Sequence, residues 1–440
     1  MSQQVLLISF FQWLTLVRQK DTVCARHYIK IDTPRWERGF FLVLGIEHMP
    51  EELSYVIINP TTIFKSRTGG VINRLLTRTH LDLVAARMFS PGQKLVEEYA
   101  GLHTATKVGD AGRVQKLIHD YVLKHFGPDP KTGGRKRVLV LLLKGEDAIA
   151  KVRAVVGSIR HHNVGGETIR DTYGDYVTDD SGNVIYFEPA VLAPTSAEEA
   201  SQHLAVWTKF SDTDGGILDN VVVHQPEQKV ERTLVLIKPD NFTFPTGRPG
   251  NIIDMFSRTG LYIVAFKVLR MSVAQAEDFY GPVQPVLREK LREPVAQRAR
   301  AVLENEFANI KFSEETVIKL GDVLGPVCAD HQFENIVEFM SGRRPSQCPE
   351  FLKTQAGASM CIGIMYEGPD AVSKIREVLG PTDPSKAPPG SIRREFGSSI
   401  MINAAHASDS TESSIREFKI VQLGENNFKE VVDCFYKSNT

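Results

Sequence analysis

An internal repeat limits what this chain can fold into more than any other feature: two stretches run through the same segments in the same order. The strand-like YVIINP, a turn at Gly69 and Gly70, a helical pattern and the apolar run LDLVAARMF come first. From Thr233 they are answered by TLVLIKP, a turn at Gly247 to Gly250, the helical NIIDMFSRTG and LYIVAFKVLRMS. Further on, LLLKGEDAIAKVRAVVG (Leu141 to Gly157) parallels IMYEGPDAVSKIREVLG (Ile364 to Gly380), and GETIRDTYG at Gly166 parallels GSIRREFG at Gly390. Two homologous domains are expected, over 51–224 and 232–440. The polar, proline-containing QPEQKVE (225–231) reads as an exposed linker between them. Each repeat reads strand, helix, strand, helical region, strand, helix and a final β-like segment such as REFKIVQL near Arg416. This α+β order is compatible with a ferredoxin-like βαββαβ sandwich, although periodicity alone does not separate it from other α+β arrangements.

Residues 1–50 lack a convincing period and form an extension of unclear role, with Met49 a candidate natural start. The apolar run Val5 to Val17 is too short to span a bilayer and lacks the flanks of a signal peptide, so no membrane association is expected. A formal net charge of -1 gives no basic field to gather nucleic acid. The five cysteines are scattered and without CxxC spacing, which excludes a zinc or redox pair on that pattern and fits a reducing cytoplasm. No glycine-rich run ends in GK followed by Ser or Thr, so there is no P-loop.

The chemistry concentrates in the second repeat. IKPD with Lys238, Tyr280, Arg376 in REVLGPTDP, Arg393 in PGSIRREF, and Asn403 with His406 in NAAHASDS follow one another in that order. Alone, each has a bland reading: a surface histidine, or arginines in solvated salt bridges. Together these segments resemble the nucleoside diphosphate kinase family over nearly all of Glu231 to Thr440, the run from EGPDAV to HASDS most specifically.

The resemblance implies transfer of the γ-phosphoryl group from a nucleoside triphosphate to a diphosphate by ping-pong through a phosphohistidine at His406. Lys238, Arg376 and Arg393 would hold the phosphates, two forked guanidiniums and one compact ammonium suiting a triphosphate tail. By the same resemblance Thr382 gives a hydroxyl to the phosphates, Asn403 bonds the sugar region, and Tyr280 steadies Lys238. Glu417 orients the histidine through its other nitrogen, and Ser408 stands beside the nucleophile. Magnesium is expected to ride on the nucleotide phosphates rather than in a protein metal site. A homo-oligomer is implied. The alternative is a nucleotide-binding sensor or scaffold without turnover.

Two departures from the family pattern lie in the second repeat: an insertion between Tyr280 and Ile336 that includes His331, read as structural, and another, PSQCPEFLKTQAGA, after Gly342. They leave the aromatic expected under the base unlocated. The first repeat departs further. Asn59 stands for Lys238, Thr61 for Asp240 and Leu192 for His406, while Arg153 and Arg170 match Arg376 and Arg393 and Tyr99 roughly matches Tyr280. His161 and His162 fall too far from Leu192 to replace the nucleophile. The first repeat is therefore expected to be inactive. It would serve either as a fused version of a subunit interface or as a regulatory nucleotide site using Arg153 and Arg170.

Overall fold

The computed structural model describes residues 51–104, 109–159 and 166–438, so the expectations for the amino-terminal fifty residues and for His161 and His162 lie outside the described residues. Pro50–Thr440 forms one compact unit. Its first repeat runs β1 (Glu51–Ile58), α1 (Pro60–Phe64), α2 (Thr68–Thr79), β2 (Asp82–Phe89), α3 (Gln93–Gly101), α4 (Asp110–His125), β3 (Val138–Glu146), α5 (Ala148–Val156), α6 (Ile169–Tyr173), a small hairpin of β4 (Asp175–Thr178) and β5 (Val184–Glu188), then β6 (Val191–Leu192) and α7 (Ala197–Lys209). The second runs β7 (Val230–Ile237), α8 (Arg248–Ser257), β8 (Tyr262–Leu269), α9 (Val273–Tyr280), α10 (Val283–Glu306), α11 (Glu314–Ser341), β9 (Cys361–Pro369), α12 (Ala371–Leu379), α13 (Ile392–Phe396), β10 (Ala405–Ala407), α14 (Thr411–Ile420) and α15 (Asn427–Ser438).

The two main sheets have the orders β2-β3-β1-β6 and β8-β9-β7-β10, antiparallel throughout, which is the ferredoxin-like arrangement in duplicate. The near-continuous apolar strands follow from burial on both faces. Val56, Ile58, Leu139 and Leu141 join the core containing α2 and α5. Tyr55, Ile57, Val140 and Leu142 join a second core with Leu95 of α3, Val122 of α4 and Trp207 of α7.

Equivalent elements of the repeats meet face to face, α2 on α8 and β2 beside β8, giving a local two-fold contact within one chain. Glycine makes this approach possible: a Cβ on Gly69 would lie 2.2 Å from the Gly250 carbonyl oxygen, and one on Gly250 2.3 Å from that of Gly69. Asn73 donates to Asn251 at 2.6 Å. One apolar cluster runs through both repeats. Finally, α15 crosses back, burying Phe428 against the first repeat, edge-on to Phe89 at 5.6 Å.

The structure corrects several local expectations. REFKIVQL is not β-like but starts inside α14, which Ser410 caps by accepting from the Ser413 N–H. Its buried positions Ser414, Glu417 and Val421 recur at helical spacing, a stripe hidden by polar and small members. The last strand is instead β10, three residues with two alanines, too short and bland to announce itself. Val230 and Glu231, placed in the linker, already belong to β7. The first insertion builds a long antiparallel hairpin of α10 and α11, tied by ion pairs such as Arg288–Asp330 (2.8 Å) and Arg300–Glu314 (2.8 Å). His331 is exposed on α11, its Nδ1 3.4 Å from the Asn335 amide. The second insertion holds two single turns, Pro345–Gln347 and Glu350–Leu352. Among the described residues no helix is long and apolar enough to cross a membrane.

Candidate active site

His406 sits in the middle of β10, in register with Leu236 of β7. The turn into this edge strand passes through Ala404 at φ +70°, a conformation uncommon for a residue with a Cβ. Helix α14 then returns Glu417 beneath the imidazole. The Glu417 Oε2 atom lies 2.9 Å from His406 Nε2 and accepts the Ser408 hydroxyl at 2.7 Å. Facing a carboxylate, Nε2 is the protonated nitrogen and donates, which leaves the lone pair on Nδ1. Phe279 and Tyr280, at the end of α9, pack their rings 5.0 and 6.2 Å from the imidazole and fix its plane.

A cavity of about 1110 Å³ opens over this histidine, and its lining includes Lys238, Tyr280, Arg376, Thr382, Arg393, Asn403, His406 and Glu417. Ser408 lies behind, fully buried. Residues more than 170 positions apart in the chain thus converge because β7 and β10 are neighbours and α12 packs against both. Lys238 follows β7; its ammonium donates to Asn403 Oδ1 (2.8 Å) and the Met401 carbonyl (3.0 Å) and lies 5.5 Å from the Phe339 ring. Burial pushes it down to about 8. Arg393 is held rigid by donating to the carbonyls of Gly380 (3.0 Å) and Ala405 (3.1 Å). Burial, and then the charge of Arg376, lower its guanidinium to about 10, still cationic at neutral pH. With Arg376 and Arg416 also in the lining, three guanidiniums and an ammonium surround one cavity and make a field that selects polyanions.

Two partnerships differ from expectation. Tyr280 makes no hydrogen bond to Lys238; its hydroxyl is buried and unpartnered, while Asn403 and Met401 hold the lysine. The Asn403 amide nitrogen donates to the carbonyls of Thr382 (3.1 Å) and Ile400 (2.8 Å), so this side chain, which lines the cavity, also braces its wall. The sequence reading also passed over the wall formed by the hairpin. Gln332, Asn335, Ile336 and Phe339 line the cavity from one stripe of α11, opposite Val283 and Leu287 of α10. Their spacing is helical, but the insertion obscured where the helix faced.

The first repeat reproduces the frame without the chemistry. Leu192 is in register with Ile57 as His406 is with Leu236, Ala190 is left-handed like Ala404 (φ +59°), and Arg170 donates to Gly157 and Val191 as Arg393 does to Gly380 and Ala405. Continuing the same register along α7 sets His203 where Glu417 stands. Along α3, Tyr99 corresponds to Phe279 and Ala100 to Tyr280, one residue away from the match expected for Tyr99.

A family model described as "Nucleoside diphosphate kinase" matches residues 52–212, 231–287 and 333–426. The chain belongs to the nucleoside diphosphate kinase family. The first matched stretch is one repeat and the other two are the halves of the second, parted at 288–332, where most of the α10–α11 hairpin lies. Curated relatives include nucleoside diphosphate kinases of Staphylothermus marinus, 31% identical over 43% of this chain and 92% of that protein, and of Aquifex aeolicus, 30% identical over 44% and 96%. A crystal form of the Aquifex aeolicus nucleoside diphosphate kinase is 28% identical, covering 44% of this chain and 95% of that one, with a TM-score of 0.27. The chain is thus a tandem duplication within a family of nucleoside diphosphate kinases, with a degenerate first copy.

Proposed function

We propose that the second repeat moves the γ-phosphoryl group of a nucleoside triphosphate onto a nucleoside diphosphate through a phosphohistidine at His406. The carrying observation is the bond from His406 Nε2 to Glu417, itself fixed by Ser408, beside a cavity lined by the cations Lys238, Arg376, Arg393 and Arg416. In the first half-reaction Nδ1 bonds to the γ-phosphorus, the bond from phosphorus to the β–γ bridging oxygen breaks, and a diphosphate leaves. In the second, a terminal oxygen of the acceptor diphosphate attacks the same phosphorus and the N–P bond breaks, restoring the imidazole. Glu417 stabilises the positive charge that grows on the ring as Nδ1 forms its bond.

Arg376, Arg393 and Lys238 would meet the charge spread over the transferred oxygens, with the Thr382 hydroxyl at the rim and the unpartnered Tyr280 hydroxyl as a further donor. Magnesium bound to the nucleotide phosphates would neutralise charge across the β and γ oxygens. The donor set fits an ion carried in this way: Glu417 is committed to His406, and among the described residues only Asp383 and Asp409 add carboxylates to the cavity wall, too few for a cage. The wall of Val283, Leu287 and Ile336 offers the base an apolar surface, which supports broad base acceptance. The first repeat, with Leu192 in the nucleophile's register, would not turn over.

The test is incubation with ATP labelled in its γ-phosphate. The parent is expected to give an acid-labile, alkali-stable phosphoprotein that discharges onto GDP, and His406→Ala none. Nucleotide binding without labelling would sink the enzymatic reading in favour of a nucleotide sensor.

A further inference from the structure

The degenerate pocket of the first repeat carries its own chemistry. Where the second repeat has Val283, Ser413 and Glu417, the first has His103, Glu199 and His203, following the strand registers that align the repeats. All three change together into metal-ligand types, and their donor atoms lie within 4.8 Å of one another. We propose that His103, Glu199 and His203 bind a divalent transition metal, zinc by preference, with a fourth position open to the adjoining cavity.

Three observations carry this. First, Glu199 and His203 are four residues apart on α7, so they project from one face one turn apart, and Glu199 Oε1 is 3.9 Å from His203 Nε2. Second, Glu199 and His203 are held from behind. The Glu199 Oε2 atom accepts from the Thr195 N–H (2.9 Å) and hydroxyl, leaving Oε1 to ligate. His203 Nδ1 is hydrogen-bonded to the Tyr55 hydroxyl, and as a donor there it leaves Nε2 for the metal, the outer-shell pairing that ligating histidines use. Third, His103 is only 6% exposed and its Nε2 has no hydrogen-bond partner, an orphan that a metal would satisfy.

Two imidazoles and one carboxylate suit zinc in its open, three-ligand form. Bonds of about 2.0–2.1 Å require donors about 3.4 Å apart, so the side chains close by up to roughly 1.4 Å on loading. The open position faces a cavity of about 1350 Å³ that Arg153 and Arg170 also line, so a water or an anionic ligand would complete the coordination.

The experiment uses the full chain without a histidine tag, stripped with a chelator and reloaded with Zn²⁺ or Co²⁺. One metal per chain should survive gel filtration by elemental analysis, and the cobalt form should show the intense visible bands of a four-coordinate site. Glu199→Gln and His103→Ala should each weaken metal binding by more than the roughly 10–100-fold that losing a supporting hydrogen bond costs. Their phosphoryl-transfer activity, which resides in the other repeat, should persist and show that the chain is folded. His119→Ala, whose side chain on α4 pairs with Asp120 at 3.0 Å, should bind metal like the parent. Failure to retain either metal would overturn the proposal, as would metal retained equally by both ligand variants.

Discussion

At one strand register the two repeats give opposite answers. Beside β7 stands His406, backed by Glu417; beside β1 stands Leu192, backed by His203. Around these positions the backbone is the same: the left-handed alanine, the buried arginine donating to two carbonyls, and the sheet order are all kept. The frame is therefore separable from the reaction. Arg170 keeps the same backbone bonds in a repeat whose nucleophile position is Leu192, so a matching arginine alone is poor proof of activity. The histidine and carboxylate pair discriminates better, since neither residue is needed to close the core.

The largest effect should come from exchanging the discriminating residues. His406→Ala is expected to lower phosphoryl transfer by about 10⁴-fold or more, the scale of losing a nucleophile. Adding Leu192→His in that background should not restore a phosphoenzyme, because His203 cannot play the part of Glu417; label on the doubly substituted chain would break the comparison. Glu417→Gln keeps a bond to Nε2 but removes the charge, and should reduce kcat by roughly 10²-fold with little change in nucleotide KM.

A third test concerns the contact between the repeats. Gly250→Val drives a side chain into the Gly69 carbonyl and should cost about 1–3 kcal/mol, read as a lower urea midpoint for the whole chain. An unchanged midpoint would mean that the repeats are not stabilised through α2 and α8. The smallest effect concerns pH. Burial pushes Lys238 down to about 8, so its cation, the form that attracts phosphates, is lost as pH rises through that value. Nucleotide KM should rise severalfold above about pH 8 in the parent, and this limb should be absent in Lys238→Arg, whose guanidinium stays charged.

Much of this was legible in the chain. The duplication follows from segments repeated in both copies, and the residues that meet around His406 from motifs of the second repeat that resemble the family's. What misled was local. Arg416 to Leu423 carries β-forming residues, yet Arg416 to Ile420 packs as helix, with Ser414, Glu417 and the following Val421 facing inward together. Asn403, expected at the sugar, is absorbed into bracing Lys238, and Tyr280 stands free of it.

By itself the sequence determined which residue types occur and in what order, hence two α+β domains and one set of residues matching the family's motifs. Only the tertiary structure decided which atoms meet. Hydrogen-bond partners depend on fractions of an ångström set by packing, so the pairing of Lys238 with Asn403 had no signature in spacing. The gathering of His103 with Glu199 and His203 likewise needed α3 and α7 to pack across one face of the sheet, bringing together residues almost a hundred positions apart.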